Sequence, residues 1–192
     1  MIAVIQRVRR ASVTVENQVI AQIDQGLVIL LGVAQGDTSQ DVDFIIEKIS
    51  RLRIFPDTQG KMNYGLQDIN GELIIVSQFT LLANTEKGRR PSFESAAPPE
   101  EAQFRYQEVL EKFQALGLAV QGGMFGAAMV VALENDGPVT LILDSRGRKA
   151  VKKVKDSFPR TDTVRKIGMP REERIIKREG RAWRRKSLNN IL

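Results

Sequence analysis

Hydrophobic and polar residues in the N-terminal part of the chain are spaced as in β-strands. Residues 1–8, 12–16, 19–23 and 26–33 alternate or form a continuous apolar run. The last run is typical of a central strand buried on both faces. Alternation places Arg7 on the same face as Ala3 and Ile5, where a charge needs hydrogen-bond acceptors. The alternative is a half-exposed strand arginine paired with a carboxylate.

Two later segments carry hydrophobic residues at helical spacing. The first follows a turn at residues 36–39 that offers an N-cap, and the second begins at Pro98-Pro99 and ends near Gly117. Further strands are predicted at residues 73–78, 118–121, 127–133 and 139–143. This order predicts an α/β mixed fold, with a sheet or barrel-like body and flanking helices.

Composition narrows the chemistry that the chain can perform. Its 192 residues, 42% of them hydrophobic, suit one full core and not comfortably two. The absence of Cys and His excludes a disulfide framework, a thiol nucleophile and any Ser-His-Asp triad. Hydrolysis would have to use carboxylates, Lys, Tyr, hydroxyls, backbone amides or the substrate itself. No apolar run approaches the roughly 20 residues of a membrane span, so a soluble, cytoplasmic protein is expected.

Charge divides the chain into two parts. Residues 1–144 carry 12 Lys and Arg against 18 Asp and Glu, whereas residues 145–192 carry 17 against 5. We therefore expect an acidic domain, followed by a helical or partly disordered basic extension that meets a polyanion. Trp183 among Arg and Lys residues is typical of nucleic-acid contacts. The extension could instead dock on the acidic domain through Ile175, Ile176 and Trp183, or remain a disordered polyanion-binding tail.

Four short motifs follow one another along the acidic domain. They are residues 5–15, the SQFT motif (Ser77, Gln78, Phe79 and Thr80), the basic loop (residues 87–93) and the NDGPVT motif (residues 135–140). With these motifs, residues 1–144 resemble the D-aminoacyl-tRNA deacylase family. The resemblance implies the fold of that family, a homodimer, and an enzyme that hydrolyses D-aminoacyl-tRNA, and glycine mischarged on tRNA, in chiral proofreading. The basic extension matches no part of the family's catalytic body.

The SQFT motif allows two interpretations. A Thr80 hydroxyl is a weak nucleophile without an activating base, and none lies close in sequence. Consecutive backbone N–H groups at a strand end could instead stabilise a developing oxyanion without any titrating side chain. The resemblance implies that Ser77, Gln78, Phe79 and Thr80 line the site that holds the aminoacyl ester, and they are the candidate catalytic residues.

Gly137-Pro138 in the NDGPVT motif would ordinarily be interpreted as a turn between strands. The resemblance implies instead a cis peptide bond that is braced by Arg7 and enters the pocket of the neighbouring subunit. There its carbonyl oxygens would face the α-carbon of the substrate. A D side chain would then point to solvent, whereas an L side chain would collide with the dipeptide. Glycine, which has no side chain, could not be excluded.

Candidate tRNA contacts form two groups, Phe125 with Met129, and the loop bases Lys87, Arg89 and Arg90. The resemblance places the first pair near the terminal adenosine, although two such residues four apart are more often plain core. The loop bases could hold phosphates or simply be solvated. Asp41 and Asp43 point to different sides of their predicted helix, so we expect no metal site, and no cofactor is implied.

The lack of a histidine base leaves the substrate as a participant in the reaction. The hydroxyl next to the ester on the terminal ribose could activate water or take part directly, while the protein supplies positioning and oxyanion donors. A second hypothesis assigns the chain a different class of function, that of a DNA-binding replication accessory protein using the basic extension. It follows from family members with C-terminal extensions, which have been linked to DNA binding at replication origins.

Overall fold

The structure, a computed structural model, describes residues 1–147. They form the strands β1 Ile2–Val15, β2 Gln18–Ile23, β3 Gly26–Gly32, β4 Phe55–Pro56, β5 Met62–Tyr64, β6 Glu72–Ser77, β7 Ala119–Gly122 and β8 Val130–Asp144, and the helices α1 Ser39–Ser50 and α2 Pro99–Ala115. Three short 3₁₀ turns span Gln67–Ile69, Phe79–Leu82 and Ser145–Gly147. The predictions for the remainder of the basic extension lie outside the described residues.

Hydrogen bonds join six of these strands into one curled sheet. Its order is β2-β1-β3-β6-β7, and β8 also pairs with β1. β1 runs antiparallel to β2, β3 and β8, whereas β3, β6 and β7 are parallel. The two ends of the order meet through the Gln121 side chain, which donates to the Gln22 carbonyl at 2.6 Å and accepts from the Gln22 N–H at 2.9 Å. The predicted mixed, barrel-like α/β body is confirmed.

β1 is one strand where the sequence pattern predicts two. The separation of residues 1–8 from residues 12–16 is wrong, because the strand continues while its partner changes from β3 to β2. Arg9 and Arg10 interrupt the hydrophobic pattern at the point of exchange, and both are exposed. An exposed stretch in the middle of a strand therefore looks like a strand end in the sequence.

β8 is also longer than predicted. Residues 127–133 and 139–143 are not two strands joined by a turn, since pairing with β1 is present on both sides of Gly137-Pro138. The dipeptide lies instead in a bulge, here called the Gly-Pro bulge (residues 136–139). Between the pairs Gln6–Thr140 and Val8–Asn135, the single residue Arg7 of β1 faces these four residues of β8.

Apolar layers cover both faces of the sheet. The layer under the two helices includes Ile29 and Ile75 of the sheet and Phe113 of α2. The layer inside the curl includes Val28, Ile74, Val76, Val8, Ala11, Val13, Ala21 and Ile23. Successive residues of β6 thus alternate between two buried layers, as expected for a central strand. The segment that follows Ser77 therefore starts from a firmly held strand.

Both helices begin as predicted. Thr38 is the N-cap of α1, and its N–H donates to the carboxylate of Asp41 at 2.9 Å. Pro99 occupies the first turn of α2, and Gly117, at a φ of 77°, follows the end of that helix. Asp41 is buried at the start of α1, whereas Asp43 is exposed and forms an ion pair with α2. The two carboxylates therefore have separate partners.

Candidate active site

The SQFT motif begins at Ser77, the last residue of β6, and therefore lies at one end of the sheet. The Gln78 N–H extends the parallel ladder by donating to the Leu31 carbonyl of β3 at 2.8 Å. The chain then enters the 3₁₀ turn Phe79–Leu82, which the Leu81 N–H closes on the Gln78 carbonyl at 3.2 Å. Backbone pairing by N–H groups thus runs to Gln78 and resumes at Leu81.

Phe79 and Thr80 lie between these two bonded groups. Among the residues that the structure describes, neither of their backbone N–H groups has a hydrogen-bond acceptor. The start of a 3₁₀ turn leaves its first donors without intrahelical partners. Both residues are exposed, Phe79 to 56%. Two adjacent backbone donors are therefore available to a bound group.

The side chains of the SQFT motif are less suited to chemistry than its backbone. The Gln78 amide nitrogen donates to the Thr80 hydroxyl oxygen. Within residues 1–147, no carboxylate or amine hydrogen-bonds to that hydroxyl. A Thr hydroxyl without a base partner is a poor nucleophile. Ser77, half-buried, forms the end of β6.

A cavity of about 740 Å³ opens beside the motif. Ser77, Gln78 and Phe79 line one side of it, and Phe125 and Met129, from the segment that precedes β8, also line it. Thr80 is not among the lining residues. Most of the remaining wall is apolar; β3, β6 and the first turns of α2 contribute to it, and the segment at residues 93–98 before α2 contributes several further residues. The volume suits a small-molecule-sized group, and two sets of predicted residues meet in one place.

The basic loop contributes to the cavity wall through Phe93, its last residue. The Phe93 ring packs edge-on against the Phe79 ring, with centroids 4.9 Å apart, and Phe93 also lines the cavity. Two backbone hydrogen bonds between Asn84 and Ser92, at 2.8 and 2.9 Å, close the loop. Its bases Lys87, Arg89 and Arg90 are exposed and do not line the cavity.

The Gly-Pro bulge lies apart from this cavity. The Gly137-Pro138 peptide bond is cis, and both residues are exposed. Neither residue lines the cavity of its own chain, nor does Arg7. In the cavity wall the structure therefore brings Ser77, Gln78 and Phe79 together with Phe125 and Met129, but neither Thr80 nor the Gly-Pro bulge.

Side chains hold the bulge from beneath. Arg7 is only 7% exposed, and its Nε donates to the Asp136 carbonyl and lies 3.1 Å from the Asp136 carboxylate. Its Nη1 donates to the Ile54 carbonyl. A Cβ added to Gly137 would lie 2.8 Å from Arg7 Nη2. Arg7 pairs with a carboxylate, as the alternative expects, but it is buried and not half-exposed, and its guanidinium lies against Gly137.

Asn135 spans the bulge from its other side. Its side-chain oxygen accepts the Val139 N–H at 2.9 Å, and its amide nitrogen donates to the Thr140 hydroxyl at 3.2 Å. The sequence pattern places Asn135 and Asp136 in a motif but predicts no role for their side chains. Asn and Asp beside a Gly-Pro pair often hydrogen-bond to the local backbone, so the sequence itself gives a reason to expect these contacts.

Tyr106 is a further cavity residue whose polar group sequence reasoning left without a role. The helical pattern assigns it to the apolar stripe of α2, and the residue is indeed buried. Its hydroxyl lies 2.7 Å from the Ile75 carbonyl and 3.1 Å from the Gly123 carbonyl. Burial raises the pKa of the phenol to about 12, so Tyr106 remains a neutral donor at physiological pH. A buried Tyr hydroxyl ordinarily needs a hydrogen-bond partner, so the position of Tyr106 in the apolar stripe already indicates that its hydroxyl has one.

Two features are absent from the described part of the chain. Residues 1–147 contain no group of three or more His, Cys, Asp or Glu side chains placed to hold a metal ion. Within the same residues, no helix is both long and apolar enough to cross a membrane.

Comparison with known proteins identifies the class to which this fold and cavity belong. The family model for D-Tyr-tRNA(Tyr) deacylase matches residues 4–144. The D-aminoacyl-tRNA deacylase of Desulfitobacterium hafniense (strain DSM 10664 / DCB-2) is 52% identical over 145 residues, covering 76% of this chain and 97% of the relative. That of Sulfurihydrogenibium sp. is 55% identical over 146 residues, covering 76% and 99%.

Two solved structures are also similar. The c-Myc DNA Unwinding Element Binding Protein superposes with a TM-score of 0.71 at 41% identity, covering 75% of this chain and 98% of the other. A probable eukaryotic D-amino acid tRNA deacylase superposes with a TM-score of 0.60, covering 74% and 97%; at 15% identity this likeness shows the fold alone.

Together the fold and the matched relatives define an ester hydrolase that acts on aminoacyl-tRNA. The chain belongs to the D-Tyr-tRNA(Tyr) deacylase family, and the predicted family and enzyme class are confirmed.

Proposed function

We propose that the cavity beside the SQFT motif receives the aminoacyl ester of D-aminoacyl-tRNA, with the Phe79 and Thr80 N–H groups as oxyanion donors. The observation that carries this proposal is the pair of adjacent N–H groups without acceptors, among the described residues, at the end of a buried strand. Donors fixed before the reaction stabilise a tetrahedral intermediate by several kcal/mol, roughly 3 for a single donor. Ser77 and Gln78 line the adjacent wall.

Water attacks the ester carbonyl in this mechanism, and the free D-amino acid and the tRNA leave. The tetrahedral oxyanion forms at the two N–H groups, and the departing ribose oxygen takes up a proton. The chain contains no His, and among the described residues no base is bonded to Thr80. The neighbouring ribose hydroxyl therefore activates the water or takes part directly, and the protein contributes position and electrostatics.

The Gly-Pro bulge selects against L-aminoacyl groups in the proposed mechanism, acting from the second subunit of a homodimer. Support comes from its exposure and from its absence from the cavity wall of its own chain. β8 also carries Val130 and Ile142, which are 68% and 71% exposed. An apolar surface on a strand with one neighbour is a suitable interface. Glycine would enter freely, so glycine mischarged on tRNA is a further substrate.

The tRNA end occupies the rest of the site. Phe125 and Met129 offer an apolar wall of the cavity for the terminal adenosine. Lys87, Arg89 and Arg90 are exposed next to the rim residue Phe93, where they can meet phosphates of the acceptor end. The basic extension would add contacts to the tRNA body.

Hydrolysis of one tRNA charged separately with D-tyrosine and L-tyrosine tests the reaction. We expect rapid loss of the D-ester and a spared L-ester, each measured against spontaneous hydrolysis without protein. Equal loss of both esters would contradict chiral selection. Loss of neither would contradict the proposed reaction itself.

Mixed dimers test the origin of that selection. One subunit would carry Ala127→Trp, which fills the cavity, and the other Pro138→Ala. If the bulge acts across the interface, the single open cavity faces an intact bulge and remains selective for the D-ester. The matched control places both substitutions in one subunit beside a wild-type partner, and its open cavity should accept the L-ester. Reversed results would assign the bulge to its own subunit.

A second candidate function, binding of duplex DNA, is favoured by the 41% identical c-Myc DNA Unwinding Element Binding Protein, and the 17 Lys and Arg of residues 145–192 make the basic extension the candidate binding segment. A comparison of the full chain with a chain that ends at Gly147 distinguishes this candidate from the deacylase proposal. The shorter chain ends at Gly147 because Ser145 is buried and its N–H donates to the Met1 carbonyl at 2.9 Å. The deacylase proposal expects the short chain to hydrolyse D-tyrosyl-tRNA with weaker affinity and a shallower salt dependence. Duplex binding that shows sequence preference and survives loss of hydrolysis would favour the second candidate.

A further inference from the structure

We infer that Tyr106 is a positioning residue that holds the wall carrying Phe125 and Met129 at a fixed distance from the SQFT motif. Its phenol lies between the two chain segments that form these walls. The Ile75 carbonyl, two residues before Ser77, receives the hydroxyl at 2.7 Å. The inference rests on the proposed contact between the Phe125 wall and the terminal adenosine.

The Ile75 carbonyl also accepts a hydrogen bond from the chain segment that forms the opposite wall. The Gly123 N–H donates to the Ile75 carbonyl at 2.9 Å, and the Gly123 carbonyl lies 3.1 Å from the Tyr106 hydroxyl. β7 pairs with β6 only as far as Ile75–Gly122, so the regular ladder ends one residue earlier. Beyond that pair, this N–H bonds the segment that leads to Phe125 to the end of β6, and the phenol lies within hydrogen-bond distance of a carbonyl in each of the two segments.

Close packing at Gly122 indicates that the backbone there is shaped to fit the phenol, and Gly123 makes a similar approach to Met129. A Cβ on Gly122 would lie 2.9 Å from the Tyr106 hydroxyl oxygen, and one on Gly123 would lie 2.8 Å from the Met129 sulfur. Only residues without a side chain let the backbone approach the phenol and the thioether this closely. The Tyr106 ring is also 5.9 Å from the Phe125 ring, centroid to centroid.

The hydroxyl group acts through these contacts and not on the ester. Its single hydrogen can be donated to the Ile75 or the Gly123 carbonyl, and removal of the oxygen should leave the ring packing intact. The segment from Gly123 to Met129 would then lose one of its two attachments to β6. A looser wall lowers the affinity for the tRNA end, while the SQFT motif keeps its ladder contacts to β3.

Tyr106→Phe tests the inference, with Tyr64→Phe as the matched control, since Tyr64 is the other Tyr of the chain and does not line the cavity. We expect Tyr106→Phe to accelerate hydrogen exchange at the Gly123 amide, while exchange in β3 stays as in the wild type. The KM for D-tyrosyl-tRNA should rise about tenfold, the effect of one lost hydrogen bond, with kcat changed less than about twofold. The control should match the wild type in all three measurements.

Unchanged exchange at Gly123 in the Tyr106→Phe variant would overturn the inference. A fall in kcat at constant KM would overturn it too, because the phenol would then act on the reaction. Phe125→Ala distinguishes this failure from that of the underlying proposal. If Phe125→Ala leaves the KM unchanged, the adenosine contact is wrong; if it raises the KM and Tyr106→Phe does not, the positioning role is wrong.

Discussion

The SQFT motif and the Gly-Pro bulge are held in opposite ways. The motif continues a central strand, and its place is fixed by backbone ladder bonds such as that from Gln78 to Leu31. The bulge interrupts pairing between β8 and β1, and side chains replace the missing ladder. Arg7 holds it from the buried side, and Asn135 spans it on the other.

Because of this difference, the two regions differ in how strongly they depend on particular side chains. A site made of backbone N–H groups depends on the strand that presents it and tolerates changes in its own side chains. A bulge held by side chains depends on those particular side chains and on the absence of a Cβ at Gly137. Substitutions should therefore damage the bulge more than the motif.

Gly137→Ala should have the largest effect. The residue has a φ of 119°, and an added Cβ would lie 2.8 Å from both Arg7 Nη2 and Val139 Cγ2. We expect the free energy of unfolding to fall by about 3 kcal/mol, from backbone strain and displacement of the buried guanidinium. Chemical denaturation measures this change, and hydrolysis of L-tyrosyl-tRNA should appear with it.

Gly60→Ala is the control for that substitution. Gly60 also has a positive φ, 77°, but a Cβ added there would meet no atom within 4 Å, so only the left-handed backbone contributes, about 1 kcal/mol. Equal losses at the two glycines would show that Arg7 readily moves aside, contrary to the account of a firmly held bulge.

Arg7→Met should destabilise the protein by about 2 kcal/mol. The change leaves the Ile54 and Asp136 carbonyls without their donor, while Asp136 keeps its ion pair with Arg9. Thermal or chemical unfolding measures it, and D-over-L selectivity should decline. Arg10→Met is the control, because the Arg10 side chain is 72% exposed and its ion pair contributes less than about 0.5 kcal/mol. A control as damaging as Arg7→Met would contradict the bracing role.

The Tyr106 phenol should contribute about 1 kcal/mol to stability near pH 8. Its pKa is raised by burial to about 12 from an ordinary 10.0. The folded state therefore keeps the proton between these values while the unfolded state loses it, and the contribution declines by up to about 1.4 kcal/mol per pH unit. In denaturant titrations, the advantage of the wild type over Tyr106→Phe should vanish near pH 11. A constant difference across this range would refute the raised pKa.

Thr80→Ala should have the smallest effect. The substitution keeps both backbone N–H groups and removes only a hydroxyl whose described partner is the Gln78 amide. We expect the single-turnover rate on D-tyrosyl-tRNA to stay within about threefold of the wild type, well under 1 kcal/mol. A loss of several orders of magnitude would instead make the Thr80 hydroxyl the reactive group.

The two regions also differ in how far the sequence predicts them. The apolar run of β6 and the helical spacing of α1 and α2 follow from local patterns, so strand, helices and the mixed α/β class emerge without a structure. The continuity of β1 and β8 does not, because pairing with a distant partner overrides exposed residues such as Arg9 and Arg10. The contact of Tyr106 with Gly123 likewise depends on two segments brought together by the fold.

The claim that the ribose hydroxyl of the substrate takes part in the reaction in place of a side chain is tested most directly on the substrate. D-tyrosine would be attached to the 3′-hydroxyl of a tRNA whose terminal adenosine lacks its 2′-hydroxyl, and its hydrolysis compared with that of the ordinary ester at equal, saturating enzyme. We predict that removal of the ribose hydroxyl slows hydrolysis by at least about a hundredfold, the lower range for a lost general base. Hydrolysis of the 2′-deoxy substrate at the normal rate would contradict the account and return the chemistry to the protein.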